Sequence, residues 1–409
     1  MRALDIVKRA EDELKDRFRA LEEMAFYNQV KVLKALQKHH IRDVHFNSSS
    51  GYGYGDIGRD VLEEVYKDVF AAEDALVRGQ IVSGTHAISA CLFGLMRPGE
   101  KLVSVTGAPY DTLQKVIGKN NSLSGTLLDK GIIYQEVGLT AEGRPDGENI
   151  KKSIDAETKI AFIQRSRGYS LRPALTVEEI GELVKIIKKA NPSTIIMVDN
   201  CYGEFTDIIE PTEVGVDIMA GSLIKNPGGG LAPSGGYVVG KKELVEQVAY
   251  HITAPGLGKE LGASLINNRC FYQGIFMAPH VVLQALKGAL LLAYIFEEHG
   301  YEVYPSWQEK RGDIVQAIRL GSTEEVLAFC QVIQNSSPVD SDVQLEYGDM
   351  PGYDNKVVMA AGTFIQGSSI ELSCDAPLRS PYCVYVQGGL TYEHVRYAAV
   401  RLIEEILWK

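Results

Sequence analysis

The sequence predicts an α/β protein with a mostly parallel β-sheet, helices on both faces of the sheet, and a smaller α+β region after it. Short β-rich runs such as "KIAFIQRS" and "TIIMVDN" alternate with helical patterns such as "TVEEIGELVKIIKKA" through the middle of the chain. This alternation is typical of βα units, whose strands are covered on both faces. The length of 409 residues exceeds one compact core of usual size, so we expect a second, smaller unit.

Taken in order, the elements suggest three regions. Residues 1–58 are predicted to form one or two helices and then the loop "HFNSSSGYGYGDIGRD", which is too rich in glycine to be regular. Residues 59–285 are predicted to form the large domain, and residues 286–409 the small one, with the boundary in a long helix that begins near residue 279. Within the large domain, the first segments predict an amphipathic helix in "RDVLEEVYKDVFAAEDALV", then a strand, a turn and a helix in "GQIVSGTHAISACLFGLM". Six further strands are predicted within "KLVSVTG", "IIYQEVG", "KIAFIQRS", "TIIMVDN", "VDIMAGS" and "GYVVG".

Composition excludes several classes of partner. The net charge of −11, without a basic patch, argues against nucleic acid and anionic membrane surfaces. We expect the apolar run "LKGALLLAYIF" to be a short buried helix, too short to cross a bilayer. The six cysteines lack metal-ligand spacing and no histidine cluster suggests zinc, so we predict reduced thiols, no metal site and a cytoplasmic location.

Three features fall where strands are predicted to end. Asp199 ends the run "IIMVD", Lys225 ends "VDIMAGSLIK", and the turn Ser83-Gly84-Thr85 opens a helix. In an open α/β sheet, ligands bind beyond the carboxyl ends of the strands, where such residues converge.

Together these features suit pyridoxal phosphate (PLP). A lysine can hold its aldehyde as a Schiff base, a carboxylate can keep its pyridine nitrogen protonated, and a helix N-terminus can bind its phosphate. Each residue alone has an ordinary structural explanation: a strand-end aspartate, a solvated lysine, a common turn. The sequence contains neither the dinucleotide-binding motif nor the phosphate-loop motif. The stretch "PGLGKELG" looks similar to them but lacks their spacing.

The sequence also resembles a known family. The order of "GYGYGDIGRD", "VSGTHAISA", "GAPYDTL", "MVDNCYGEF" and "SLIKNPGGG" is similar to that of the Cys/Met-metabolism enzymes of PLP fold type I. The stretches "HITAPGLGKELGAS" and "CDAPLRSPY" resemble more closely the methionine γ-lyase-like branch of aluminium-resistance proteins. The resemblance covers about residues 15 to 405. It implies the fold-type I architecture, with a sheet of seven-stranded type.

The resemblance implies a role for each cofactor residue. Lys225 would anchor PLP and later move the substrate's α-proton, and Asp199 would pair with the pyridine nitrogen. The Ser83-Gly84-Thr85 turn, together with Ser222, would hold the phosphate.

Further residues follow from the same resemblance. Tyr110 would lie on the cofactor ring, and Arg379 would bind the substrate's α-carboxylate. Related lyases reach the neighbouring subunit's phosphate with a Tyr-x-Arg pair; here Tyr54 matches the tyrosine, whereas Asp56 stands at the arginine position. Arg59 is then the candidate replacement, and either Tyr110 or Tyr54 is the candidate proton donor to the leaving group. The segment "QRSRGYSLRP" also departs from the usual turn.

The implied function is a carbon–sulfur lyase that acts by β- or γ-elimination on cystathionine, cysteine or methionine. Alternatives are an aminotransferase or amino-acid aldolase, a PLP-binding protein with little turnover, and a structural scaffold without PLP. We expect a homodimer at least, with a tetramer also compatible, because fold-type I active sites are generally shared between subunits.

Overall fold

The computed structural model describes residues 2–119 and 123–408. The helices are α1 Ala3–Glu13, α2 Lys15–Lys38, α3 Ile57–Val69, α4 Gly84–Leu95, α5 Asp111–Ile117, α6 Gly147–Ser153, α7 Val177–Ala190, α8 Lys242–Ile252, α9 Arg269–Glu298, α10 Thr323–Asn335 and α11 Tyr392–Leu402. Single turns of other helix types lie at Asp43–Phe46, Pro211–Val214, Asn226–Gly228, Gly258–Glu260 and Ile403–Leu407. The strands are β1 Asp74–Arg78, β2 Lys101–Ser104, β3 Ile133–Glu136, β4 Thr158–Gln164, β5 Ile195–Asp199, β6 Ile218–Ser222, β7 Gly236–Gly240, β8 Val303–Tyr304, β9 Gln316–Arg319, β10 Val357–Ala360, β11 Ser373–Pro377 and β12 Cys383–Gln387.

The main sheet confirms the predicted fold class. Across the described residues it has seven strands in the order β1-β7-β6-β5-β4-β2-β3. All neighbours are parallel except β7, which runs antiparallel to β1 and β6. The central strands β4, β5 and β6 are almost wholly buried. Burial on both faces explains why their sequences are continuous apolar runs rather than alternating ones.

The first strand of this sheet lies elsewhere than predicted. The segment "DALVR" was assigned to the end of a helix, but α3 ends at Val69 and residues Asp74–Arg78 form β1. The predicted strand around Ile81 is a turn instead. Ala71 adopts a positive φ of 46°, which breaks the helix, and β1 is then fixed by antiparallel pairing with β7. Alanine, glutamate and leucine favour helices, and here tertiary pairing overrides that local preference.

The second sheet confirms the smaller α+β unit. Its order is β10-β11-β12-β9-β8, with antiparallel neighbours throughout. The segment 342–349 contributes an isolated bridge, between Gly348 and Val357.

The long helix α9 joins the two units. It begins at Arg269, ten residues before its predicted start, because Phe271, Tyr272 and Ile275 already bury an apolar face. The run "LKGALLLAYIF" is therefore part of a 30-residue helix rather than a short one. By length and composition α9 is the one helix in the described ranges that could cross a membrane, yet 67% of its apolar window is buried inside the protein, as in a core helix.

We propose that the domains divide within α9, near the predicted boundary at residues 285 and 286. Two hydrophobic clusters support this division: one includes α9 up to Leu286, and the other begins on α9 at Leu290. The second cluster also contains Ala3, Val7 and other residues of α1, so the first helix packs on the small domain.

Candidate active site

The carboxyl ends of β4, β5 and β6 meet at one edge of the large sheet. The parallel register pairs Gln164 with Asp199, and Asp199 with Ala220. A cavity of about 220 Å³ opens there. Its walls include seven of the predicted residues: Ser83, Gly84, Thr85, Tyr110, Asp199, Ser222 and Lys225. The structure therefore brings these seven side chains and backbone groups together.

Lys225 lies in the turn after β6 and faces this cavity. Its Nζ is 4.0 Å from the centroid of the Tyr202 ring, a cation–π contact. Burial lowers the pKa of Lys225, but Cys201, Tyr202 and Asp199 raise it by more, and the net direction is upward. The surrounding groups therefore favour the ammonium form of this amine.

Asp199 ends β5 and is buried. Its Oδ1 accepts a hydrogen bond from the backbone N–H of Cys201 at 3.1 Å. Burial raises the pKa of Asp199, and the charge of Lys225 opposes that rise. Burial also raises the pKa of Cys201, with Asp199 as the next cause, so this thiol stays neutral.

Helix α4 begins at the same cavity. The Oγ of Ser83 caps it by accepting the N–H of His86 at 3.0 Å, which satisfies one of the free donors of the first turn. A Cβ at Gly84 would lie 3.1 Å from Cys201 Sγ and 3.2 Å from Ser222 Cβ. Glycine therefore allows the start of the helix to lie against β6, and the positive end of a helix is suited to an anion.

Hydroxyl groups line the cavity next to this helix start. The Oγ1 of Thr85 lies 3.1 Å from the Tyr110 hydroxyl and 3.4 Å from Thr112 Oγ1. The backbone N–H of Tyr110 donates to Gln164 Oε1 at 2.8 Å, which fixes the tyrosine against β4. Burial, and next Asp199, hold the pKa of Tyr110 well above its usual value, so its hydroxyl keeps its proton.

Arg379 lies at the mouth of the site. Its Nη2 donates to the carbonyl of Tyr169 at 2.9 Å, and its Nη1 is 3.8 Å from Asp111 Oδ1. It lines a recess that shares Tyr110 and Tyr169 with the cavity of Lys225. Within the described residues one of its five donors, on Nη2, has a hydrogen-bond acceptor, so the others can bind a carboxylate.

The loop residues Tyr54 and Arg59 are not brought to this cavity by their own chain. Tyr54 is 62% exposed, and its ring packs against the exposed ring of Tyr52 with centroids 5.6 Å apart. Arg59 is buried, where its guanidinium donates to the carbonyls of Gly53 and Gly262 and pairs with Asp60. Both were assigned to a neighbouring subunit's site, so their roles stay predictions.

Sequence reasoning missed a group of tyrosines on the cavity wall, namely Tyr169, Tyr202 and Tyr353. Tyr202 follows Asp199 closely in "VDNCYGEF", which could have indicated it. Tyr169 donates its hydroxyl to Asp375 Oδ2 at 3.0 Å, and Gln387 Nε2 donates to the same oxygen at 2.9 Å. The two loop tyrosines at 169 and 353 belong to no periodic pattern, so only the folded chain reveals them.

The segment "QRSRGYSLRP" places its three arginines differently. Arg165 is buried away from the cavity and donates to Asn200 Oδ1 at 2.8 Å and Thr206 Oγ1 at 3.0 Å. Arg172 donates to the backbone carbonyls of Gln164 and Ser166 and holds the loop against β4. Arg167 lies at the junction with the small domain.

The seven-stranded sheet, with Asp199 at the end of β5, Lys225 after β6 and the start of α4 on the wall of one cavity, has the architecture of PLP fold type I. The sequence model of the methionine γ-lyase family matches residues 3–407, and the chain belongs to this family.

Several relatives cover almost the whole chain. The Bacillus subtilis protein YnbB is 50% identical over 390 residues, 95% of this chain and 93% of the relative. The crystal structure of a Listeria innocua protein, described as a proposed cystathionine β-lyase involved in aluminium resistance, has a TM-score of 0.96 at 51% identity, over 99% of both chains. That of a Clostridium novyi carbon–sulfur lyase involved in aluminium resistance has a TM-score of 0.94 at 47% identity, over 99% of this chain and 96% of the other.

More distant proteins are also similar, in part of the sequence or in the fold. An L-methionine γ-lyase of Treponema denticola is 26% identical over 214 residues, covering 52% of this chain and 49% of the relative. The PLP-dependent protein YhfS of Escherichia coli has a TM-score of 0.62 at 16% identity over 94% of this chain and 97% of the other, which shows the shared fold alone.

Proposed function

We propose that the protein is a PLP-dependent carbon–sulfur lyase that releases a thiol, ammonia and a 2-oxo acid from a sulfur amino acid. The observation that carries the proposal is one cavity in which Lys225 and Asp199 meet the start of α4. Membership of the methionine γ-lyase family supports the same reaction class.

The residues present fit PLP. Lys225 offers an amine for covalent attachment, and Asp199 offers a buried carboxylate for the pyridine nitrogen. The first turn of α4, with the hydroxyls of Thr85 and Ser222 on the same wall, offers donors to a phosphate. When bound, PLP supplies an electron sink that acidifies the α-C–H bond of an amino acid.

Three side chains would then act on the substrate. Arg379 would bind the α-carboxylate through its guanidinium fork. The Lys225 amine would take up the α-proton. Tyr110 would donate its hydroxyl proton to the departing sulfur atom, a role for which its raised pKa keeps it protonated.

Purified protein incubated with PLP tests the reaction. We expect cystathionine, cysteine or methionine to yield a thiol and a 2-oxo acid, whereas alanine, which lacks sulfur, yields neither. With cystathionine, pyruvate and homocysteine would indicate β-elimination, and 2-oxobutanoate and cysteine would indicate γ-elimination.

Other outcomes would replace the proposal. A product that forms only with a 2-oxo acid acceptor would indicate an aminotransferase, and aldehyde release would indicate an aldolase. Bound PLP that none of the three amino acids alters would indicate a PLP-binding protein with little turnover.

We further propose that two copies share each site, in a homodimer or homotetramer. The rings of Tyr52 and Tyr54, which are exposed and lie against each other, support this, because adjacent exposed apolar groups are typical of interaction surfaces. Tyr54 would act in the partner's site, and Arg59 would take the place of the usual phosphate-binding arginine or position its loop. Mixing Lys225→Ala with Tyr54→Phe subunits should restore activity that neither variant has alone; no recovery in proven hybrids would contradict a shared site.

We also propose that the protein acts in the cytoplasm. All six cysteines are free in the described structure, which suits a reducing compartment.

A further inference from the structure

A second cavity lies at the junction of the two domains. Its volume is about 300 Å³, and it opens between the loop that carries Arg167 and the segment Glu309–Gly312 after β8. None of its lining residues lines the cavity of Lys225. We call it the arginine cavity, defined by Arg167 and Arg311.

Both arginines are buried and short of partners. Arg167 is 2% exposed and Arg311 is 8% exposed. Within residues 2–119 and 123–408, the Nε and Nη1 atoms of each lack a hydrogen-bond acceptor. Arg311 uses only its Nη2, which donates to Gln316 Oε1 and, at 3.4 Å, to the carbonyl of Ala289. A buried charge with unsatisfied donors is strongly unfavourable unless something supplies acceptors.

The positive charge of these guanidiniums is also only partly neutralised by nearby carboxylates. Asp313 Oδ2 lies 3.9 Å from Arg167 Nε, beyond hydrogen-bond distance. Its two oxygens already accept the backbone N–H groups of Arg167 and Val315 at 3.1 Å. Burial lowers the pKa of Arg311 to about 9, and the charge of Arg167 is the next cause. Asp313 and, after it, Glu309 thus act on two guanidiniums that repel each other.

The other charged groups of the arginine cavity have partners of their own or lie outside. Arg144 pairs with Glu179, and Lys310 lies 3.7 Å from Asp207. Glu178 lies on the exposed rim.

Glu309 is the competing acceptor. It lies on the exposed rim and accepts the backbone N–H of Ser306 at 3.0 Å.

We propose that the arginine cavity is a binding site for a small oxyanion, held between the guanidiniums of Arg167 and Arg311. The planar fork of arginine matches the oxygens of phosphate, sulfate and carboxylate groups. The anion supplies negative charge and acceptors to two guanidiniums that line the cavity and have few acceptors of their own.

Such an anion would contact one arginine from each of the two proposed domains, next to the active site. Arg167 belongs to the loop after β4, and its neighbours Ser166 and Gly168 line the cavity of Lys225. Arg311 lies in the small domain, between β8 and β9. Arg167 also lines the recess of Arg379, so the bound oxyanion stabilises a loop that forms one wall of the active site.

Sulfate and phosphate titrations of the protein test the proposal, with chloride at matched ionic strength as the reference. Thermal unfolding and calorimetry should show saturable sulfate or phosphate binding to the wild type. Lys310→Gln is the matched control, because it removes the same charge from the same cavity without a buried donor, and its affinity should equal that of the wild type. Arg311→Gln should bind at least tenfold more weakly. All three proteins keep the start of α4 intact, so binding at that second anion site cancels in the comparison.

Glu309→Gln keeps the test decisive if Arg311→Gln does not fold. If an external anion is the partner, Glu309→Gln should bind sulfate or phosphate as tightly as the wild type or more tightly. If Glu309 is itself the partner, the wild type should not bind sulfate or phosphate at this cavity, and only Glu309→Gln should bind them. That result, or equal binding by Arg311→Gln and Lys310→Gln, or binding no better than that of chloride, overturns the proposal. Acetate in a parallel titration separates carboxylates from inorganic oxyanions.

Discussion

The active-site cavity and the arginine cavity bury charge in opposite ways. In the first, Lys225 and Asp199 are opposite charges, and the pKa of Lys225 is raised in spite of burial. In the second, Arg167 and Arg311 are like charges, and the pKa of each is lowered. The difference shows what each site lacks. Lys225 and Asp199 offset each other's charge, so this balanced pair requires no further counterion. Arg167 and Arg311 form an unbalanced pair, which the proposed anion would neutralise.

The largest effect should come from the balanced pair. Lys225→Ala removes the proposed anchor and proton carrier together, so we expect lyase activity to fall by about a thousandfold or more, as when a group that acts as a unit is lost. Turnover at saturating PLP measures it. Lys34→Ala, which alters an exposed lysine of α2 outside this cavity, is the control and should remain active.

Asp199→Asn keeps the shape of the side chain and removes its charge. We expect kcat to fall by about 10²–10³-fold, the scale of losing one preorganised electrostatic partner. Asp354→Asn, at a largely exposed carboxylate paired with Lys115, should stay near wild type. Near-normal kcat in Asp199→Asn would show that the carboxylate is only structural.

Asp313→Asn tests the arginine cavity in the same way. It removes the carboxylate nearest to two buried guanidiniums, so we expect the free energy of unfolding to fall by about 3–5 kcal/mol. Sulfate should restore part of this loss, because it supplies negative charge to the same guanidiniums. Chemical denaturation with and without sulfate measures both; an undiminished stability would show that the two arginines do not repel.

Arg379→Gln should separate binding from chemistry. The loss of a charged hydrogen bond to the substrate carboxylate is worth about 1.5–3 kcal/mol, so we expect KM to rise by about tenfold or more with a smaller change in kcat. Steady-state kinetics gives both. A change in kcat alone would contradict the assignment.

The smallest effect concerns Asp217, which lies just before β6 and pairs with two lysines. Burial would raise the pKa of Asp217, but hydrogen bonds from Lys188 and Lys241 hold it below its ordinary value of 3.8. The stabilisation is therefore complete above that value and is lost as the pH falls through the lower pKa of the folded state. Asp217→Asn should lose about 1–2 kcal/mol at neutral pH and show a flatter acid limb in unfolding experiments. Asp354→Asn should retain the wild-type curve.

The two cavities also differ in how far the sequence predicts them. Asp199 and Lys225 end apolar runs, and parallel strands bring their carboxyl ends to one edge, so local patterns were enough. Arg167 and Arg311 are far apart in sequence and meet only through the domain junction, which no local pattern encodes. The same limit explains β1, whose residues favour a helix until they pair with β7, and the loop residues Tyr169 and Tyr353. The roles of Tyr54 and Arg59 depend on a second copy of the chain.

The central claim is that Lys225 anchors PLP, and covalent trapping tests it most directly. Protein incubated with PLP, reduced with borohydride and digested should carry a pyridoxyl group on the peptide that contains Lys225, and Lys225→Ala should carry none. A label on a different lysine, or no label on correctly folded wild-type protein, would contradict the account.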